Sequence, residues 1–282
     1  MPDATTIRQL LSSFGVRSRK ELGQHFLLSD RVLNGIVDDA RVNADMTVLE
    51  IGAGYGGLTR VLAPRVREVV AIELDDQLAA IIPQYIAPAR NVRVVRQDIL
   101  AFLEQSAWPL PEKYVVVANL PYQITSRIIG RLLEHAHPPQ SITCLVQREV
   151  AERMVAPTGE RSLLSLAVQL GSTATITRTV GAKHFFPPPR VESAVIHLGS
   201  CASSPLQRLT ADERRRLFRI ARMAFAGKRK QLRNSLANGL HGKPAAVSEQ
   251  LLKIGIDPDL RPQALELEQW LQFAKNRFVG VD

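Results

Sequence analysis

The apolar run Val115-Val116-Val117-Ala118 ends in Asn119-Leu120-Pro121-Tyr122. These residue types suit one particular task, placing a methyl group on the exocyclic amine of adenine. That amine is a weak nucleophile because its lone pair is delocalised into the ring. An Asn side-chain oxygen and a backbone carbonyl can accept its two N–H bonds. The nitrogen then pyramidalises and aims its lone pair at an electrophilic methyl, and no strong base is needed. Pro121 lacks an N–H, and its fixed φ helps to turn neighbouring carbonyls inward. Tyr122 offers an aromatic face for a base. The donor brings the methyl and its positive charge, so the protein's part is mainly alignment for in-line transfer. The target base has to be unstacked, since a paired amine is out of reach. An isolated N-x-P-Y reads equally well as a strand end broken by proline, so its place in the chain matters.

Upstream, Val48-Leu49-Glu50-Ile51-Gly52-Ala53-Gly54-Tyr55-Gly56-Gly57 follows a strong strand pattern and opens a helix. Gly52, Gly54 and Gly57 make a G-x-G-x-x-G, which permits a tight turn and close backbone approach to a ligand. Dinucleotide dehydrogenases share the pattern. Two acids then end successive strands. Glu73 is placed to accept both ribose hydroxyls of a nucleoside, and Asp98 to accept from an adenine amine, since ligands of open α/β sheets bind beyond the carboxyl ends of the strands. A nicotinamide enzyme satisfies everything to this point. The Asn-Leu-Pro-Tyr at the fourth strand favours methyl transfer from S-adenosyl-L-methionine instead.

The elements that must position these residues are legible as short Val- and Ile-rich runs: Thr47–Ile51, Glu68–Ile72, Val92–Arg96, Tyr114–Ala118 and Ile142–Gln147. Several are apolar throughout, as strands buried on both faces of a parallel sheet are. Helical patterns at Asp75–Ile82 and Thr125–Glu134 alternate with them, and Thr173–Val180 and Val191–Leu198 read as two later strands. The expected fold is α/β, a Rossmann-like class I methyltransferase domain with a mostly parallel seven-stranded sheet. A smaller all-α domain follows. The Ser-rich stretch Gly199–Pro205 is read as a linker, with a boundary near residue 204. Residues 1–204 then form the catalytic domain with an N-terminal arm (apolar at Ile7, Leu10, Leu11 and Phe14), and 205–282 a basic helical domain.

The net charge is +9 with a pI near 10.0, which points to a polyanionic partner. Between Arg208 and Arg233 lie ten Lys or Arg against only Asp212 and Glu213, so nearly all of the excess sits there. Leu217, Ile220, Ala221 and Ala224 form an apolar stripe at helical spacing, with Arg215, Arg219 and Arg222 opposite. Lys228, Arg229, Lys230 and Arg233 follow. The run reads as a phosphate-contacting surface that positions structured RNA without reading its sequence, although a charge run is often only a solvated face. The two cysteines, Cys144 and Cys201, have no metal-ligand partner nearby, so neither a disulfide framework nor a metal site is expected. No run is apolar enough to span a bilayer and no signal core is present, so a cytoplasmic protein without a membrane partner is expected. No coiled-coil heptads occur, and a monomer is expected.

Taken together, these motifs resemble the ribosomal RNA adenine dimethyltransferases (the KsgA/RsmA family), to which Erm methylases and mitochondrial transcription factor B proteins are related. The resemblance runs from about Lys20 to Val195. It is carried by Leu22-Gly23-Gln24-His25-Phe26-Leu27, Glu50-Ile51-Gly52-Ala53-Gly54, Glu73-Leu74-Asp75, Gln97-Asp98, Asn119-Leu120-Pro121-Tyr122, Gln147-Arg148-Glu149-Val150 and the segment from Phe185 through Pro187-Pro188-Pro189 to Ser193. It implies cofactor contacts at His25, Leu27, Gly52, Glu73, Asp98 and Asn119. It also implies that Asn119 and the Leu120–Pro121 carbonyls orient the amine, and that Tyr122 and Phe185 sandwich the base. Three prolines in the loop make a stiff mount for Phe185. Many members carry Asn where this chain has His25, and Lys and Asp where it has Arg190 and Glu192. The implied substrate is a pair of adjacent adenines in a hairpin near the 3′ end of small-subunit ribosomal RNA, within an immature small ribosomal subunit. The alternatives are an Erm-type methylase of large-subunit RNA, a DNA adenine methylase, or a non-enzymatic assembly or transcription factor on the same scaffold.

Overall fold

The structure is a computed structural model that describes residue 9 and residues 24–278, except 88, 106, 228 and 277. The amphipathic N-terminal segment, Leu22, Gly23 and Lys228 therefore lie outside the described residues.

Strands β1 (Phe26–Leu27), β2 (Thr47–Ile51), β3 (Glu68–Glu73), β4 (Val92–Arg96), β5 (Tyr114–Asn119), β6 (Ile142–Gln147), β7 (Thr173–Val180), β8 (Phe185–Phe186) and β9 (Ser193–Gly199) form two sheets. The large one has seven strands in the order β4-β3-β2-β5-β6-β9-β7. Its first five strands are parallel, and β9 runs antiparallel to both β6 and β7. The seven strands read from the sequence are all present. The last begins at Ser193 rather than Val191, which is exposed.

The central strands are mostly apolar because both of their faces are covered. Val48, Val69, Ala71, Val115 and Val117 share one cluster with Leu33, Ile36 and Val37 of α1 (Asp30–Ala40), Leu58 and Leu62 of α2 (Gly57–Leu62) and Ile82 of α3 (Asp76–Tyr85). The alternating residues Leu49, Val70 and Val116 point the other way and are equally buried. The short helix α4 (Ile99–Phe102) contacts α5 (Thr125–Glu134), which precedes β6. The edge strand β4 exposes Arg93 and Arg96, charges that blunt edge-to-edge pairing.

The second sheet is a single antiparallel pair, β1 with β8, in the register Phe26↔Phe186 and Leu27↔Phe185. It ties the residues after His25 to the proline-rich loop. Two-residue strands carry too little period to be read from sequence.

By contacts the chain divides into two compact units. One takes in the chain to Glu152 together with Ser172–Ala202, and the other joins Arg153–Gly171 to the chain from Ser203 onward. The single boundary read near residue 204 thus misses an excursion. Helix α6 spans Arg148–Met154, and α7 (Leu163–Gly171) is apolar on nearly every side. Such a helix needs burial all round, and α7 finds it among α8 (Ala211–Ala226) and α11 (Leu267–Lys275), while α9 (Leu232–Gly239) and α10 (Pro244–Lys253) complete that unit. Arg161 helps to fix the excursion within it, with Nη1 donating to the Leu265 carbonyl at 2.6 Å and Nε to Gln169 Oε1 at 3.0 Å.

Helix α8 opens with a capping box: Thr210 Oγ1 accepts from the Glu213 amide, and the Glu213 carboxylate accepts from the Thr210 amide. Leu217, Ile220, Ala221 and Ala224 are fully buried, as the stripe predicts. Phe225 stacks on Trp270 of α11 with centroids 5.4 Å apart. The stretch read as a linker is not loose, because Cys201 and Ser204 are buried and short 3-10 turns cover Cys201–Ser203 and Pro205–Arg208. Both thiols are buried, which pushes each up to about 12. Among the described residues no helix is long and apolar enough to cross a membrane, and no His, Cys, Asp and Glu cluster could hold a metal.

Candidate active site

A cavity of about 300 Å³ opens beyond the carboxyl ends of β2, β3, β4 and β5, where an open α/β sheet binds ligands. His25, Leu27, Gly52, Gly54, Glu73, Asp98, Asn119, Leu120, Pro121 and Tyr122 all line it. The structure therefore brings together all but one of the residues singled out for cofactor and catalysis.

The glycine turn is built as its sequence requires. Gly52, Gly54 and Gly56 have φ of 70°, 61° and 92°, a region that side-chain-bearing residues avoid. Gly57 serves differently, since a Cβ there would lie 2.4 Å from the Tyr55 hydroxyl. That hydroxyl donates to the Leu27 carbonyl at 2.7 Å and so holds β1 against the turn.

Glu73 ends β3 nearly buried, its Oε2 accepting from the Gly54 amide at 2.7 Å and Oε1 from the Asp75 amide at 2.9 Å. Burial raises its pKa, and these two amides pull against that. A carboxylate has about four acceptor sites, so it keeps capacity for a ribose hydroxyl beside these amides. Asp98 caps α4: Oδ1 takes the amides of Leu100 and Ala101 at 2.7 and 3.2 Å, so Oδ2 is the oxygen suited to an adenine amine.

Asn119 sits at the tip of β5. Its Nδ2 donates to the His25 carbonyl at 3.2 Å. A carbonyl can only accept, so the amide orientation is forced and Oδ1 remains the acceptor. Of the two neighbouring carbonyls, Pro121's accepts from the Ile124 amide at 3.3 Å and Thr125 Oγ1 at 3.0 Å. That carbonyl is consumed in starting α5, which corrects the expectation that it turns toward the target amine. Leu120 donates its amide to the Leu145 carbonyl at 3.1 Å.

Tyr122 is held twice. Its ring stacks on His25 at 5.5 Å and 27°, and its hydroxyl bonds Ser193 Oγ at 2.6 Å. His25 is held in turn, because Nδ1 lies 2.7 Å from the Pro187 carbonyl and must carry a proton to donate there. Phe185 does not join this group. It is 3% exposed, packs with Leu27, Val180 and Val195, and is absent from the cavity wall. The expected Tyr122–Phe185 sandwich is corrected accordingly. Antiparallel pairing with β1 turns Phe185 into the core, and His25 occupies one face of Tyr122.

Sequence reasoning passed over Glu50 as a site residue. It lines the cavity, yet is 1% exposed with Oε2 buried and unpartnered among the described residues. Burial, opposed by the Thr59 hydroxyl and amide and aided by the nearby Glu73 charge, pushes its carboxyl up to about 8. Leu74, exposed at the cavity rim, Gln97 and Ile99 were likewise passed over as site residues, although the first two stand in motifs already quoted.

On α8 and beyond it, Arg215, Arg219, Arg222, Arg229 and Lys230 are exposed. Arg215 pairs with Asp212. Arg233 is half-buried and ion-paired to Asp259 at 2.7 Å, so it is less available than its place in the run suggests.

Among solved structures, a dimethyladenosine transferase from Plasmodium falciparum superposes with a TM-score of 0.73 at 24% identity, covering 88% of this chain and 95% of its own. The 23S rRNA methyltransferase ErmE gives a TM-score of 0.64 at 28% identity over 89% of this chain and 98% of its own. The fold and the glycine-turn cavity are those of a Rossmann-like methyltransferase. The chain is 36% identical to a ribosomal RNA small subunit methyltransferase A from Dehalococcoides mccartyi over 93% of its length and 89% of the relative's. It is also 36% identical to one from Bacillus mycoides over 93% and 92%. The sequence model of the ribosomal RNA adenine dimethylases matches residues 15–277, and the chain belongs to that family.

Proposed function

We propose that the protein uses S-adenosyl-L-methionine to dimethylate N6 of two adjacent adenines in a hairpin near the 3′ end of small-subunit ribosomal RNA, within an immature small subunit. The observation that carries this reading is Asn119: its amide is pinned by the His25 carbonyl so that an acceptor oxygen borders the cavity at the tip of β5. The similarity to small-subunit methyltransferase A enzymes at 36% identity favours this target over the large-subunit one.

The residues present fit the donor. Glu73 suits its ribose, Asp98 its adenine amine, Leu74 its base, and Gly52 and Gly54 the close backbone approach, with His25, Leu27 and Asn119 along the same wall. When bound, the donor supplies an electrophilic methyl on a sulfonium. Asn119 Oδ1 and the Leu120 carbonyl accept the two N–H bonds of the target amine. Tyr122 stacks on the flipped base with the face that His25 leaves open. Arg215, Arg219, Arg222, Lys228, Arg229, Lys230 and Arg233 hold RNA phosphates, with Arg233 the most restrained. The protein works as a monomer in the cytoplasm, where immature subunits are found.

Purified small-subunit particles lacking the modification should accept label from the donor on adjacent adenines, and large-subunit RNA should not. Asn119→Ala should lower transfer by about 10²-fold or more, as loss of one aligned polar group at a reacting centre does, while RNA affinity is kept. Labelling of the large-subunit RNA instead, or full activity in the variant, would remove the proposal.

A further inference from the structure

The wall of the cavity carries Glu50, Glu73 and Asp98 and, among the described residues, no Lys or Arg. Glu73 and Asp98 suit neutral hydroxyl and amine donors, which leaves Glu50 as the acid on this wall with no group assigned to it. Glu50 lies deepest. It stands between Ala71 of β3 and Val117 of β5 in the sheet register, with Thr59 of α2 beside it. Glu73 is the charged group whose field reaches it, and the Tyr55 hydroxyl also lies within its field. The other titratable groups on the wall are His25, Asp98 and Tyr122. Glu50 Oε2 is fully enclosed without a hydrogen-bond partner of good geometry among the described residues, and the Thr59 hydroxyl and amide beside the carboxyl only partly offset the cost of burial. An ionised carboxylate with an unsatisfied buried oxygen and a like charge nearby is strongly disfavoured, and the group responds by staying neutral.

We propose that Glu50 is a proton-linked cation receptor, a neutral acid in the ligand-free protein that ionises when the positively charged methyl donor binds. This rests on the cavity being the donor site. The step balances simply: the Glu50 O–H bond breaks heterolytically, the proton passes to solvent, and the negative charge left on the carboxylate would offset the donor's positive charge. No redox partner is involved. The linkage has a fixed sign. Below the carboxyl's ligand-free value of about 8, binding releases about one proton and affinity rises with pH. Above it the acid is already ionised, and affinity levels off.

Titration calorimetry of the full chain with S-adenosyl-L-methionine, in buffers of different ionisation enthalpy, reads the proton count directly. The expected result is release of about one proton per donor near pH 7 and an affinity gain of about tenfold per pH unit, fading near pH 8. Glu50→Gln should abolish the release and flatten the profile. In case that variant folds poorly, infrared difference spectra of the unaltered protein provide a second measurement: the band of a protonated carboxyl should vanish on binding. Donor binding without proton release, equal release in Glu50→Gln, or an unchanged carboxyl band overturns the proposal and leaves the cofactor site standing. Failure of the donor to bind overturns both.

Discussion

At the scale of single residues, the site depends on a few groups whose orientation is fixed by partners far away in sequence. His25 is the hub. Its carbonyl orients Asn119, its ring nitrogen reaches the Pro187 carbonyl, and its ring covers one face of Tyr122. Ser193 completes the arrangement by holding the Tyr122 hydroxyl from a fully buried position at the start of β9. Removing that partner leaves a mostly buried phenol unsatisfied, and a hydrogen bond of this kind contributes about 1 kcal/mol. Ser193→Ala should therefore raise KM for RNA about fivefold, with a smaller change in kcat and unchanged donor affinity, whereas Ser193→Thr should restore KM. A variant with weakened donor binding instead would show that Ser193 supports the glycine turn and not the tyrosine. Much of this site was legible as a set: neither the glycine motif nor Asn-Leu-Pro-Tyr is specific alone, but their placement at the ends of neighbouring strands puts both on one cavity wall. The place of Phe185 is not legible locally, because whether it turns into the core is set by strand register with β1, 158 residues away in sequence. Glu50 was passed over because an apolar strand pattern does not say which of its residues opens onto a cavity.

At the scale of elements, the sheet was the more legible part. Parallel strands show as short Val- and Ile-rich runs, and the first five strand positions read from the sequence coincide with the structure to within a residue. The fate of α7 was not legible, since an all-round apolar helix fits any core equally well, and only its packing partners decide which one. Attachment of α1 to the outer strand β7 depends on a feature of the same non-local kind. Arg178 reaches across Gly35 to Asp39, donating Nε and Nη2 to the two carboxylate oxygens at 2.5 and 2.6 Å. The guanidinium hydrogen bond holds the Asp39 carboxyl below the usual carboxylate range. A lowered value means that the pair's contribution is complete above the unfolded carboxyl's range and is lost as pH falls through the folded one. Arg178 is 39% exposed, so solvent screening keeps the term near that of a well-aligned surface pair. Asp39→Ala should lower stability by about 1 kcal/mol at neutral pH, and the gap from the unaltered protein should close on acidification. Denaturant titrations at both pH values measure this, and a gap that widens toward acid would assign the stabilisation to packing over Gly35 rather than to charge.

At the scale of the whole molecule, the charge distribution does what the catalytic cavity cannot. The cavity wall has acids and, among the described residues, no Lys or Arg, so it offers no cation to a polyanion's phosphates. The stretch from Arg208 to Arg233, with ten basic residues against two acids, carries nearly the full net charge of +9. Exposed cations near RNA act by displacing condensed counterions, a term that is independent of sequence and weakens as salt rises. Arg215, Arg219 and Arg222 project from the side of α8 opposite its buried stripe, so they can be altered without touching the core. Replacing all three by glutamine should leave the melting temperature and donor affinity unchanged. It should also reduce the slope of log affinity against log salt by about 2 to 3, at roughly 0.7 to 0.9 for each phosphate no longer neutralised. Because this term positions the substrate without reading it, the weakening should be equal for target hairpin and unrelated structured RNA, and high donor concentration should not rescue it. A slope unchanged by the triple substitution would mean that the basic helix is a solvated face and that RNA is held elsewhere.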